Sequence, residues 1–283
     1  MRALVLGGAS WNTMIYLDRL PDGNAGTIPN ARKHEAVGST GTGKAFALRA
    51  MGVDTVLHAA MGQDPEGERI RMECGRRGVE LISEVDPLGT AQHVNLMDKT
   101  GNRLSIFVNS GSGDVDVDLD RIALELERTD VVFLNIVPSS LPLLTLLKSC
   151  RAPVWVDLHD WDGQNPWHKA FIDHASVVQL SDEALGENQA DVMRSLFSKG
   201  IEMVVLTKGS QGAEILTSDG THMTVDAHPV DQIVDTNGAG DTFMTSLWAM
   251  LQSGKNLQHA AGMAAYHAAQ TVMHADLAPQ RFK

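Results

Sequence analysis

Six short apolar runs, at about residues 3 to 7, 54 to 60, 131 to 136, 153 to 158, 175 to 180 and 202 to 207, alternate with segments of helical periodicity. Nothing else in the chain constrains its fold as much. Runs of this length and composition read as buried strands, and strand alternating with helix predicts an α/β fold: a mostly parallel central sheet flanked by helices on both faces. Ligands of such sheets gather at the carboxyl ends of the strands. Two stretches break the alternation. Met14 to Leu20 with Gly26 to Ala36, and Ala91 to Asp98 with Arg103 to Asn109, read as extended ribbons joined by turns such as Lys99 to Asn102.

Length and charge narrow the function. The 283 residues carry ample apolar content for a core; that length allows one large α/β domain or roughly two ordinary ones, and a single unit spanning 1–283 is the expectation. A formal charge of -12 opposes a phosphate-backbone binding surface, so nucleic acid is not an expected partner. Arg69, Arg71, Arg76 and Arg77 are interspersed with Glu66, Glu68 and Glu73 and read as a solvated helix face. No segment is long and apolar enough for a membrane span, and the N-terminus enters a strand without a secretory apolar region. Cys74 and Cys150 lack metal-site spacing, which suits reduced thiols and a cytoplasmic location.

The run Asp235-Thr236-Asn237-Gly238-Ala239-Gly240-Asp241-Thr242-Phe243 carries the chemistry. Gly238, Ala239 and Gly240 leave little side-chain bulk, so their amides can approach an anion closely. Phe243, Leu247, Trp248, Met250 and Leu251 follow at roughly helical spacing, which puts Asp241 in the first turn of a helix whose dipole also favours negative charge. One reading makes Asp241 a helix cap. The other makes it a general base that takes the proton from a substrate hydroxyl attacking the terminal phosphate of ATP.

This motif resembles the C-terminal signature of PfkB/ribokinase-type carbohydrate and nucleoside kinases, and the resemblance extends over nearly the whole chain. It implies a ribokinase-like fold, Asp241 as catalytic base and Gly238, Ala239 and Gly240 as an anion hole, with Thr236 beside the nucleotide. Asp235 and Asn237 stand where many members bind a monovalent cation such as K⁺. The ribbons, drawn from about 13–36 and 90–109, correspond to a β-strand lid over the substrate, where His93, Asn95 and Asn109 are candidate contacts and exposed edges offer a homodimer surface.

Other motifs match with departures. Asn12 stands at the sugar-gripping position usually held by an acid, and Gly38 to Ala45 is similar to the sugar-binding loop, with Gly41, Thr42 and Gly43 as substrate contacts. Ser39 replaces the second glycine of that loop. Gly43 replaces an asparagine, which removes a polar contact and gives room. The stretch also fits GxxxxGK of a P-loop, but Ala45 supplies no hydroxyl for magnesium and the preceding residues are too polar for a buried strand. Thr207, Gly209 and Gly212 match the nucleotide-phosphate loop. Asp182 and Glu183 lie beside the position of a glutamate that holds Mg²⁺ through water, where this chain has Ala184. Asp157 ends a central strand near the phosphates. Thr245 and Ser246 stand where smaller residues are usual.

The expected activity is phosphorylation of an alcohol group on a small sugar or nucleoside, using ATP and Mg²⁺. A ligand-binding relative with little catalysis is the competing reading, motivated by the altered sugar loop; the retained Asp241 speaks against it.

Overall fold

A computed structural model describes residues 1–99 and 103–282, so Thr100 to Asn102 of the expected ribbon turn lie outside the described residues. In chain order the strands are β1 (Arg2–Leu6), β2 (Ser10–Leu17), β3 (Arg32–Gly38), β4 (Asp54–Met61), β5 (Glu80–Val85), β6 (Ala91–Asp98), β7 (Arg103–Asn109), β8 (Val131–Asn135), β9 (Val154–Asp157), β10 (Val177–Ser181), β11 (Met203–Thr207), β12 (Ala213–Thr217) and β13 (His222–Val225). The helices are α1 (Thr40–Ala50), α2 (Pro65–Arg77), α3 (Leu119–Leu126), α4 (Leu144–Leu147), α5 (Lys169–Ile172), α6 (Gln189–Phe197), α7 (Ala239–Gln252) and α8 (Leu257–Val272).

All six expected runs become strands of a nine-stranded sheet ordered β13-β12-β11-β10-β9-β8-β1-β4-β5. Pairing is parallel from β11 across to β5, and only the β11-β12-β13 end is antiparallel. Side chains alternate across the pleat, so β1 feeds two cores. Ala3 and Val5 pack with the buried faces of α1, α2, α7 and α8, where Trp248 meets the Phe133 ring edge-on at 5.8 Å. Leu4 and Leu6 pack on the opposite side with Ile122, Leu147, Phe171 and Leu196 from α3 to α6. Burial on both faces is why the central strands read as continuous apolar runs.

β5, β12 and β13 escape that reading because they lie at the sheet's margins and keep polar faces. Chain order reverses at β1, which has β4 on one side and β8 on the other, and this opens a crevice at the carboxyl ends of the strands.

A four-stranded sheet, ordered β3-β2-β6-β7, stands apart from the large one. β6 and β7 match the expected second ribbon. The first ribbon differs: β2 begins at Ser10 and β3 at Arg32, and residues 18–31 form no strand. Pro21 and Pro29 in that stretch have no N–H to give a ladder. Arg77 also departs from expectation. Its side chain is only 3% exposed, donates to the carbonyls of Ala278 and Pro279, and lies over the Phe46 ring at 4.5 Å. It anchors the C-terminal segment rather than a solvated face. Among the described residues, no helix is long and apolar enough to cross a membrane.

Candidate active site

The carboxyl ends of β1, β8, β9, β10 and β11 open onto a cavity of about 850 Å³. Gly8, Asp157, Gln179, Ser181 and Thr207 form its floor, the small sheet supplies Asn12, His93, Asn95 and Arg103, and Gly238, Gly240 and Asp241 close one wall. Gly238 precedes α7 with φ 80, and a Cβ there would lie 2.2 Å from the Leu277 carbonyl oxygen. Only glycine fits that approach. Gly240 and Asp241, in the first turn of α7, line the cavity beside Gly238.

Asp241 occupies the first turn of α7 and is 5% exposed. Its Oδ1 accepts a hydrogen bond from Lys44 Nζ at 2.5 Å, and the same ammonium lies 3.3 Å from Asp157 Oδ2. Lys44 comes from α1 and is fully buried. Asp157 also accepts the backbone N–H of His159 at 3.0 Å, while Gln179 Nε2 donates to the Gly240 carbonyl at 3.0 Å and ties β10 to the start of α7. Thr245 Oγ1 donates to the Asp241 carbonyl at 2.8 Å, so the bulkier residue in α7 has an internal partner.

The charges are coupled. Burial pushes the Asp241 carboxyl above the usual aspartate range, and Lys44 opposes that shift. Burial acts the same way on Asp157, but His159 and Lys44 outweigh it and hold this carboxyl below the usual range. Burial alone would favour neutral Lys44, yet Asp241 and Asp157 keep its ammonium protonated to higher pH than usual.

The sequence-derived candidates divide between wall and interior. Asn12 is 8% exposed on the cavity wall, and its Oδ1 accepts from Ser10 Oγ at 2.8 Å. From the glycine-rich loop, Ser39 and Thr40 reach the wall, whereas Gly41, Thr42 and Gly43 are buried behind it. Thr42 Oγ1 is spent on the Ser39 carbonyl at 2.8 Å. The space left at Gly43 is filled: a Cβ there would meet Asp241 Oδ2 at 2.2 Å. Ser39 itself holds φ 77, ψ 150, a conformation that glycine adopts without strain. A P-loop is excluded by geometry, because β3 is a strand of the small sheet and Lys44 points into the interior.

Thr207 lies on the wall, and Gly209 and Gly212 follow it in a turn with φ 53 and φ 88. Gly212 has a structural reason to be glycine, since a Cβ would lie 1.9 Å from the Val225 carbonyl oxygen. Glu183 lines the cavity, while Asp182 donates its backbone N–H to the Thr207 carbonyl at 3.1 Å. Asp235 is 3% exposed and accepts the Asn237 N–H at 2.8 Å; burial holds its carboxyl above the usual range. Asn237 Oδ1 accepts from Arg103 of the small sheet. Thr236 faces a separate groove beneath residues 16–34, and Asn109 bonds the Leu88 and Thr90 carbonyls away from the cavity.

A family model described as pfkB family carbohydrate kinase matches residues 9–279. The chain belongs to this family. As a pfkB kinase it is 31% identical over 245 residues to the acarbose 7(IV)-phosphotransferase of an Actinoplanes species, covering 86% of this chain and 82% of that protein. A solved microbiome-derived acarbose kinase superposes with a TM-score of 0.84 at 27% identity, covering 95% of this chain and 92% of that one. The Arabidopsis thaliana ribokinase complexed with ribose and ATP superposes with a TM-score of 0.78 at 20% identity, covering 97% and 94%, and shares the ribokinase-like α/β fold. The pfkB kinase is therefore a phosphotransferase acting on a carbohydrate or nucleoside alcohol.

Two residues of this kinase's site escape sequence reasoning. Lys44 enters it only as a P-loop lysine, although a lone charge ahead of Ala45-Phe46-Ala47-Leu48 signals a buried ion needing partners. Gln179 interrupts the apolar run Val177 to Leu180 and sends the same kind of signal.

Proposed function

We propose that this chain transfers the γ-phosphoryl group of ATP to a hydroxyl of a sugar or nucleoside, with Asp241 as the general base. The observation that carries the reading is the carboxylate of Asp241 at the N-terminal turn of α7, beside Gly238 to Gly240 and on the wall of the cavity at the strand ends. A hydroxyl bound against that wall gives its proton to Asp241 as its oxygen attacks, and the bridging oxygen of ATP leaves with ADP. The α7 amides and helix dipole stabilise negative charge on the phosphoryl oxygens in flight. ATP as donor is supported by the ribokinase-like fold shared with the ATP-bound ribokinase. Acarbose, the substrate named for the 31% identical relative, makes a sugar the first acceptor class to test.

Asn12, His93 and Asn95 offer both donors and acceptors to sugar hydroxyls from the small sheet, which acts as the lid of one kinase unit spanning the chain. Thr207 and the Gly209 to Gly212 turn lie on the nucleotide side. Glu183 is an exposed carboxylate on the cavity wall and suits a hydrated Mg²⁺, with Asp182 beside it. Bound there, Mg²⁺ would neutralise charge on the ATP oxygens. Asp235 suits a monovalent cation such as K⁺, whereas the Asn237 amide oxygen is already engaged by Arg103, leaving its backbone carbonyl to contribute. A cytoplasmic location fits a kinase drawing on ATP.

The test is a phosphoryl-transfer screen with ATP against acarbose, ribose and cytidine, repeated with Asp241→Asn. The substitution should lower turnover about 100-fold or more, on the scale of a lost general base. Near-normal turnover in Asp241→Asn would remove Asp241 from the chemistry.

A further inference from the structure

The cavity accounts for one side of Asp241; the other side faces the interior, where Lys44 lies. Lys44 is fully buried and absent from the lining of the cavity at the strand ends, and its ammonium meets Asp157 and Asp241, so its contribution acts through these two partners. A buried lysine is held charged only by well-placed anions. Here two aspartates from different elements supply them, Asp157 at the end of β9 and Asp241 at the start of α7. Had Lys44 served packing alone, an uncharged side chain of the same length would do so without desolvating an ammonium.

Gly43 is a second, independent observation at the same place. The Asp241 carboxylate lies where a Cβ of residue 43 would be, with Oδ2 at 2.2 Å, Cγ at 3.0 Å and Cβ at 3.3 Å from that position. Any larger residue at 43 excludes the carboxylate from its present seat. The adjacent residues Gly43 and Lys44 thus act together on one carboxylate, the first by vacating the space and the second by supplying the charge that draws the carboxylate into it.

We propose that Lys44 is a positioning residue for the phosphoryl-transfer reaction: clamped between Asp157 and Asp241, it fixes the Asp241 carboxylate in place and in its charged form, in a seat that exists because residue 43 is glycine. The proposal rests on the reading of Asp241 as the general base. Two anions share this pocket with one full cation. Without Lys44, Asp157 and Asp241 would face each other as buried like charges, and Asp241, whose carboxyl is already pushed up by burial, would take up a proton first. The His159 ring also lies close, with Nδ1 3.5 Å from Asp157 Oδ1. Across the cavity stand Asp160, Glu183, Asp235, Asp86, His93 and Arg103, and none of these replaces an ammonium in direct contact with the Asp241 carboxylate.

The experiment is a carboxyl-carbon NMR titration of protein labelled at aspartate Cγ, with the Asp241 resonance assigned by its absence in Asp241→Asn. No substrate is needed. In Lys44→Met the Asp241 midpoint should rise by about two pH units or more, and in Lys44→Met/Asp157→Asn most of that rise should disappear, because the second carboxylate is gone. A midpoint in Lys44→Met within about half a unit of the unsubstituted protein overturns the proposal, since loss of packing alone would not move it. Should Lys44→Met fail to fold, the unsubstituted protein carries the test: its Lys44 ammonium ¹⁵N resonance should be slow to exchange and should shift in Asp241→Asn. An unchanged resonance overturns the proposal equally. Turnover of Asp241→Asn separates the two claims, because a retained rate rejects Asp241 as base while the NMR coupling reports on the clamp itself.

Discussion

Replacing Gly43 with alanine tests the seat of Asp241 with a single methyl group. The added Cβ would lie 2.2 Å from Asp241 Oδ2, and ordinary contact begins at 3.4 Å, so the carboxylate must retreat by about 1.2 Å (3.4 minus 2.2). Three atoms of the Asp241 side chain lie within 3.3 Å of the new methyl, and Lys44 Nζ holds the carboxylate through Oδ1 at 2.5 Å. Rotation of one terminal oxygen therefore does not relieve the clash. Overpacking of this kind costs about 1 to 3 kcal/mol. Alanine also favours α1 over glycine by about 0.5 to 1 kcal/mol. The two effects leave Gly43→Ala between near neutral and about 2.5 kcal/mol less stable.

A double-mutant cycle separates them. In an Asp241→Ala background the clash is gone and only the helix gain remains, so the same substitution should stabilise by up to about 1 kcal/mol. The coupling between the positions is then about 1 to 3 kcal/mol, read from urea unfolding of the four proteins. Turnover supplies a second measure. A reacting group misplaced by about 1 Å can cost on the order of 100-fold in rate, so Gly43→Ala should fall toward the rate of Asp241→Asn while still binding nucleotide. Coupling below about 0.5 kcal/mol together with turnover within about twofold of the parent would refute the steric reasoning.

Two further outcomes follow from residues outside the clamp. Ser39→Gly relieves a serine held at φ 77, ψ 150 and should raise the urea midpoint, with a net gain of about 1 kcal/mol after the added freedom of the unfolded glycine; a lower midpoint would show that the Ser39 side chain contributes more than its backbone strain costs. His267 is buried in α8, with Nδ1 2.7 Å from Ser246 Oγ and its ring stacked on Phe282 at 4.5 Å, and burial pushes its pKa down to about 4. Because the folded state resists protonation, its contribution is complete above the ordinary histidine value near 6.5 and is lost as pH falls toward 4. His267→Gln should flatten that part of the stability profile, measured by urea midpoints across the range; an unchanged slope would place the acid sensitivity elsewhere.

The central sheet was legible because burial on both faces leaves an unbroken apolar run, and the six runs so read are the six neighbouring strands from β11 to β4. Strands with a wet face or an edge position, such as β5 and β12, lack that signature and are separable from loops only by their partners. The first ribbon was overextended because residues 18–31 are polar and rich in turn formers, a composition shared by hairpins and by irregular loops. In the candidate site, a short motif was enough to place Asp241 and its glycine turn at the start of α7, since that placement is set by local backbone geometry. Lys44 and Asp157 were not legible as a pair because 113 residues separate them and only the fold brings them within 3.3 Å.

The same separation explains why the departure at Gly43 misleads when only its neighbours in sequence are considered. Taken alone, glycine for asparagine subtracts a polar contact and opens a pocket. In the structure no pocket opens, because the Asp241 carboxylate enters the vacated space and finds an ammonium there. Each residue depends on the other. Lys44 without Gly43 would be a buried cation whose nearer anion is sterically excluded, and Gly43 without Lys44 would admit a buried carboxylate facing Asp157 with no counter-charge. Gly43 and Lys44 therefore act on one carboxylate, and the Gly43→Ala and Lys44→Met variants should disturb Asp241 by different forces, one by displacement and one by loss of charge.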